Sequence, residues 1–121
     1  MQPKKTLVIG ASENPARYSN MAIKRLLSYQ HPVVAIGKKK GTVGPVAIET
    51  EQQSFSGIDT VTMYLNPLRQ PEYYDYILSL HPKRIIFNPG AENDELAELA
   101  EKNGIKPLEA CTLVLLNTGQ F

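Results

Sequence analysis

Four short segments, Thr6 to Ile9, Val33 to Ile36, Val61 to Leu65 and Ile85 to Phe87, are apolar or β-branched almost throughout. A strand with one wet face alternates polar and apolar side chains. A run that is apolar on both faces belongs inside a parallel sheet covered on each side by helices. The intervening stretches fit that demand. Ile23, Leu26 and Leu27 recur at helical spacing after Ser19, a candidate N-cap, while Lys24 and Arg25 fall elsewhere on the wheel. Tyr73, Tyr74, Ile77 and Leu78 repeat the spacing after Pro71, a residue suited to a first helical turn. Leu96, Leu99 and Ala100 follow a cap at Asn93, with Asp94 and Glu95 complementing the dipole and Gly104 suited to the residue after the last turn. The alternation predicts an α/β protein, a Rossmann-like three-layer α/β/α domain with right-handed crossovers around a mostly parallel sheet of about five strands.

At 121 residues the chain has the size of one domain, expected to span positions 1–121. Hydrophobic residues at 42% can fill a core, and 21% charged residues suit an ordinary soluble surface. The 13 basic and 12 acidic residues leave a net charge of +1, so no global field holds a nucleic acid or an anionic membrane, and any anion site must be local. The one cysteine, Cys111, excludes an internal disulfide, and two histidines with that thiol do not reach zinc-ligand spacing, so no metal is expected. The apolar run at Leu7 to Ala11 is shorter than the ~7–15 residues of a signal segment, and nothing approaches the ~20 needed to span a bilayer. A cytoplasmic location without membrane contact is the expectation.

The two ends of the expected sheet are punctuated differently. His31-Pro32 and His81-Pro82 each precede a strand, at the end away from the carboxyl termini of the strands, where a proton-transfer role has no ligand to act on. At the carboxyl ends the loops carry Asn14-Pro15, Asn66-Pro67 and Asn88-Pro89. Asparagine folds back on its own backbone and proline fixes φ, so each pair is either a rigid strand-to-helix turn or a turn that also aims an amide into a shared crevice. Open α/β sheets bind small molecules at that edge.

The first of these loops reads Gly10, Ala11, Ser12, Glu13, Asn14, Pro15, Ala16, Arg17, Tyr18, Ser19. A dinucleotide fingerprint needs glycine where Ser12 and Pro15 stand. Gly10 still permits a tight exit, the amides entering the helix point outward with the dipole behind them, and Ser12, Arg17 and Ser19 add donors, which together suit a phosphate. After the second apolar run come Gly37, Lys38, Lys39, Lys40 and Gly41. An NAD site wants an Asp or Glu here, and none occurs before Glu49. Three lysines form either a solvated basic turn or a seat for a ribose phosphate, as carried by NADP or coenzyme A.

These residues resemble the coenzyme A-binding domain proteins related to the nucleotide-binding domain of succinyl-CoA synthetase alpha subunits. The resemblance covers nearly the whole chain and is carried by the GASxNPxRxS run from Gly10 to Ser19, by Gly37 with Lys38 to Lys40, by Ile58, Asp59 and Val61, and by Gly90 and Cys111. It implies that the first loop holds the pyrophosphate, that the lysine loop lies near the adenosine end, and that Tyr64, Leu65, Asn66 and Pro67 with Asn88, Pro89 and Gly90 line the path of the rest of the ligand. The chain departs from many relatives at Phe87, Asn88 and Pro89, where those have tryptophan and glutamine before the glycine. It also stops soon after Cys111, so the contacts that longer relatives make beyond that point, and the phosphorylated histidine and further domain of a complete ligase, are not expected.

No nucleophile-base set or carboxylate pair falls at the ligand edge. Glu13 and Glu92 sit in separate loops and suit surface or capping roles, with Glu92 near enough to touch a ligand amide. No catalytic residue is therefore assigned, and the expected function is a non-catalytic coenzyme A or acyl-CoA binding module, with phosphates held by the loop after strand one and the lysine loop after strand two. The alternative is the NADP-binding half of a reductase that works with a separate substrate subunit. Cys111 suits either a packed thiol or one opening on the crevice. The run Leu113 to Leu116 suits either a cover for the sheet or a homodimer contact, and a further protein partner stays open.

Overall fold

The structure, a computed structural model, describes residues 2–121. Its backbone runs β1 (Thr6–Ala11), α1 (Tyr18–Ser28), β2 (Val33–Gly37), β3 (Gly41–Val43), β4 (Val46–Glu49), β5 (Thr60–Met63), α2 (Tyr74–Leu80), β6 (Arg84–Phe87), α3 (Asp94–Lys102), β7 (Lys106–Glu109) and α4 (Thr112–Asn117). Two 3₁₀ turns, Pro67–Arg69 and Pro71–Tyr73, connect β5 to α2. The strands form one sheet in the order β3-β4-β2-β1-β5-β6-β7. All neighbours are parallel except β3 and β4, which form an antiparallel hairpin with Thr42 opposite Ala47.

The apolar runs occupy the centre of this sheet, as their two-sided hydrophobicity requires. Leu7 and Ile9 of β1 join Val61, Met63, Ile85 and Phe87 in a cluster closed by Ile77 of α2 and by Leu96 and Ala100 of α3. Val8, whose side chain alternates with these along β1, and Ala11, which follows the register shift between Ile9 and Ala11, join Ala35, Ile48 and Ile86 in a second cluster with Ile23 and Leu26 of α1 and Leu116 of α4. Burial at both surfaces of one strand explains why Leu7, Val8 and Ile9 are all fully enclosed.

The sheet has seven strands where about five were expected. The additional pair is the β3–β4 hairpin, turned at Gly44 in a left-handed conformation (φ +57) and lying immediately after the lysines. The start of α1 also differs from expectation. Ser19 is not its cap. The backbone already enters the helix at Tyr18, because the Arg17 carbonyl accepts hydrogen bonds from the amides of Asn20 (3.1 Å) and Met21 (3.2 Å), and Ser19 is buried in the first turn. Pro71 opens a 3₁₀ turn rather than α2 itself, which starts at Tyr74. Asn93 does cap α3, its Oδ1 accepting from the Leu96 amide at 3.1 Å, and Gly104 follows that helix with φ +74. The run 113–116 lies within α4, with Leu116 buried and Val114 exposed. None of the helices of the described residues is long and apolar enough to cross a membrane.

Candidate functional site: a basic cleft at the carboxyl edge

β1 is flanked by β2 on one side and β5 on the other, so the chain reverses direction across the sheet there and the loops leaving β1 and β5 diverge. That divergence opens a cleft of about 700 Å³. Gly10 forms its floor at φ +94, and a Cβ at this position would stand 3.1 Å from the Leu65 amide nitrogen and the Tyr64 carbonyl carbon. Only glycine combines that backbone angle with so close an approach. Gly37 is equally constrained on the other flank, since its Cβ would lie 2.3 Å from the Ala11 carbonyl oxygen.

The loop from Ala11 to Arg17 is held by its own polar groups. The Asn14 amide donates to Ser12 Oγ at 3.1 Å, Asn14 Oδ1 accepts from the Ala16 amide at 3.0 Å, and the Arg17 amide closes on the Asn14 carbonyl at 3.0 Å. Asn20 Nδ2 ties the loop to α1 through the Ser12 carbonyl at 2.9 Å. No side chain caps α1 and its first turn contains no acidic residue, so the positive end of its dipole faces the cleft unneutralised by the protein.

The expected loops converge. Gly10, Ala11, Ser12, Asn14, Arg17 and Ser19 of the first, Lys38 and Lys39 of the second, and Tyr64, Asn66 and Pro89 all line the cleft. Pro15, Gly37, Lys40, Pro67 and Gly90 do not, and Asn88 lines an adjoining cavity with Cys111 instead. Leu65, within the expected ligand path, lines the cleft too, whereas the sequence reading missed Tyr18, Arg69 and the part played by Glu13. Arg69 is carried in by the 3₁₀ turn that Asn66 caps, its Oδ1 accepting from the Leu68 amide at 2.9 Å. A cation three residues beyond Asn66 was the available signal. Glu13 folds across to the hairpin, where Oε2 accepts from the Thr42 amide at 2.9 Å and the carboxylate lies against Gly41. It therefore fastens the first loop to the segment that follows the lysines. Glu92 acts locally, taking the Gly90 amide at 2.8 Å.

The loops after β5 and β6 are joined beneath the cleft. Fully buried Gln70 donates from Nε2 to the carbonyls of Leu65 (2.9 Å) and Ala91 (2.8 Å) and accepts from Asn93 Nδ2 at 2.9 Å. Asn88 is likewise buried, its Nδ2 donating to Thr62 Oγ1 (2.7 Å) and the Met63 carbonyl (2.9 Å) while Oδ1 accepts from the Thr112 amide (2.9 Å). Burial pushes the Tyr64 phenol up to about 12, its enclosed hydroxyl lying beside Thr112 and Thr62. The histidines lie away from the cleft, before β2 and β6. His31 is buried, with Nδ1 accepting from the Lys4 amide at 3.0 Å and its ring 4.8 Å from that of Phe121, whereas His81 ends α2 at φ 51. Among the described residues no cluster of His, Cys, Asp and Glu is arranged to hold a metal ion.

The mostly parallel α/β sheet thus carries a basic, glycine-floored cleft at its switch point, the edge at which open α/β sheets take small molecules. The model of the CoA binding domain matches residues 4–117, and the chain belongs to that family. Among solved structures, a crystal structure of an uncharacterized protein is similar over 100% of both chains, with 49% identity and a TM-score of 0.98. A hypothetical protein from Pyrococcus horikoshii OT3 shares the fold at 22% identity and a TM-score of 0.88, over 97% of this chain and 84% of its own. The fold also recurs in a dinucleotide-forming acetyl-coenzyme A synthetase 1 from Ca. Korarchaeum cryptofilum, solved with phosphate and ADP, at 19% identity and a TM-score of 0.73 over 88% of this chain and 25% of that one. No curated protein matches the sequence.

Proposed function

We propose that the protein binds coenzyme A or an acyl-CoA without transforming it. In this reading the pyrophosphate rests on the loop from Gly10 to Arg17 and the uncapped start of α1, and the ribose phosphate lies against Lys38 and Lys39. The observation that carries the reading is that one cleft brings Arg17, Lys38, Lys39 and Arg69 together over the Gly10 turn, in a chain whose net charge is only +1. Membership in the CoA-binding family supports the choice of coenzyme A over other adenylated anions.

Calorimetric titration with coenzyme A, dephospho-coenzyme A and NADPH tests the assignment. Coenzyme A is expected to bind most tightly. Replacing Lys38 and Lys39 by alanine should remove its advantage over the dephospho form, worth about 1.5–3 kcal/mol for hydrogen bonds to a charged group. Equal affinity of the wild type for the two forms refutes the lysine assignment, and tighter binding of NADPH refutes the ligand.

A further inference from the structure

Beside the cleft lies a second cavity of about 230 Å³, lined by Tyr18, Tyr64, Asn88, Pro89, Cys111 and Leu113. Tyr18, Tyr64 and Pro89 line both spaces, so a ligand reaching along the cleft from the first loop arrives at the mouth of the cavity. Its lining consists of two aromatic rings, a proline, a leucine, a thiol and one amide. That amide is committed elsewhere, because Asn88 Nδ2 is taken by Thr62 and Met63 and Oδ1 by the Thr112 amide. The Tyr64 hydroxyl is shut off from accessible space. No lysine or arginine borders the cavity, in contrast with the cleft. A guest therefore meets mainly apolar surface and no charged side chain in this lining.

The wall is also fixed in place. The bond from the Thr112 amide to Asn88 and the 2.8 Å hydroxyl pair of Thr112 and Thr62 anchor the start of α4, which carries Cys111 as its cap and Leu113 in its first turn. Space held open by a buried polar network is ready to receive a ligand without further ordering.

Resting on the coenzyme A reading above, we infer that this cavity is an acyl subsite and that the preferred ligand is a thioester of coenzyme A with a short, uncharged acyl group. At ~30 Å³ for a water-sized group, the volume accommodates roughly eight such groups, which suits an acyl chain of about four to six carbons with the thioester at the mouth. A terminal carboxylate on the acyl group would be desolvated against Leu113 and Pro89 with no cation to meet it. A chain of ten carbons exceeds the space.

The test is calorimetric titration of the whole chain with coenzyme A and its acetyl, butyryl, succinyl and decanoyl thioesters. Each methylene buried should tighten binding roughly fourfold, so butyryl-CoA should exceed acetyl-CoA by on the order of tenfold. Succinyl-CoA should bind no better than coenzyme A, and decanoyl-CoA should show no further gain over butyryl-CoA. Leu113→Trp, which fills the cavity, should bring the butyryl-to-acetyl ratio close to one; the wild-type series stands as the test even if that variant does not fold. Equal affinity for all the thioesters, with coenzyme A still bound, overturns the acyl subsite and leaves the coenzyme A reading standing. Tightest binding of succinyl-CoA overturns it as well. Failure of every ligand including coenzyme A removes both.

Discussion

Replacing Asn88 by alanine should cost far more stability than the same change at Asn14 or Asn66, although all three precede a proline at the carboxyl edge of the sheet. The Asn88 side chain makes three buried hydrogen bonds, to Thr62 Oγ1, the Met63 carbonyl and the Thr112 amide. Two of those partners keep another bond after the substitution: Thr62 Oγ1 retains Thr112 Oγ1 at 2.8 Å, and the Met63 carbonyl retains the backbone amide of residue 88 at 3.4 Å. The Thr112 amide alone is orphaned, at ~1–3 kcal/mol, and the two lost bonds add roughly 0.5–1.5 kcal/mol between them, giving about 2–4 kcal/mol. For a chain of 121 residues with an unfolding entropy of about 2.1 cal/mol/K per residue, that lowers Tm by roughly 8–16 °C. Asn14 and Asn66 each give one exposed side-chain bond to a backbone amide two residues on, so alanine there should cost below ~1 kcal/mol. Circular dichroism melts, checked by urea titration, measure the order, and calorimetric affinity for coenzyme A should respond in the reverse order because only Asn14 and Asn66 line the cleft. Equal Tm losses in the three variants would refute the assignment of Asn88 to the frame.

Gly10→Ala should destabilise by about 1–3 kcal/mol, since φ +94 and contacts of 3.1 Å oppose a Cβ; an unchanged urea midpoint contradicts it. Glu13→Ala should release the lysine segment from the first loop, seen as faster tryptic cleavage at Lys38 to Lys40, and an unaltered rate shows that the bond to Thr42 does not restrain it. Burial first, then the charges of Lys4 and Arg84, hold the His31 imidazole below its ordinary value of 6.5. The unfolded chain therefore takes up the proton first on acidification, and stability present above pH 6.5 should fall as the pH drops through that value toward the lower folded one. Melting temperatures measured from pH 7.5 to 5 should show that fall in the wild type and a shallower one in His31→Gln; parallel curves reject His31 as its source.

What was legible in the sequence followed from patterns that one segment contains by itself. Leu7, Val8 and Ile9 are each buried, so their uninterrupted hydrophobicity states the two-sided covering of β1 without reference to the rest of the chain. The hairpin was not legible because β3 and β4 have only three and four residues, and an exposed Thr42 and Ala47 make them look like loop. The cleft was legible in its glycine turn and lysines, whose chemistry is local. Asn88 and Asn14 stand in the same dipeptide yet one is buried and the other exposed, a difference set by the Thr112 amide 24 residues away. Gln70 reads as an ordinary polar loop residue, and only the packed structure shows it enclosed and joining Leu65, Ala91 and Asn93.

Glu13 places a carboxylate in a cleft that also holds four cations, in a chain of net charge +1. A carboxylate among phosphate-binding groups would weaken anion binding if its charge faced the ligand, and at a separation of ~4 Å with an effective dielectric near 20 the repulsion is about 4 kcal/mol. Glu13 borders the cleft, where its carboxylate accepts from the Thr42 amide and lies against Gly41, so the same side chain that contributes a negative charge also holds the hairpin, and with it Lys38 and Lys39, beside the first loop. A side chain at Gly41 would collide with the Glu13 carboxylate, its Cβ standing 2.2 Å from Cδ, which gives the second glycine of the lysine loop a steric reason to be there. The local positive charge then arises from four cations and a helix end gathered within one cleft rather than from the total charge. With a Debye length of ~8 Å at physiological ionic strength, only charges brought that close to the ligand contribute much, and the acidic residues on the remaining surface leave the site little affected.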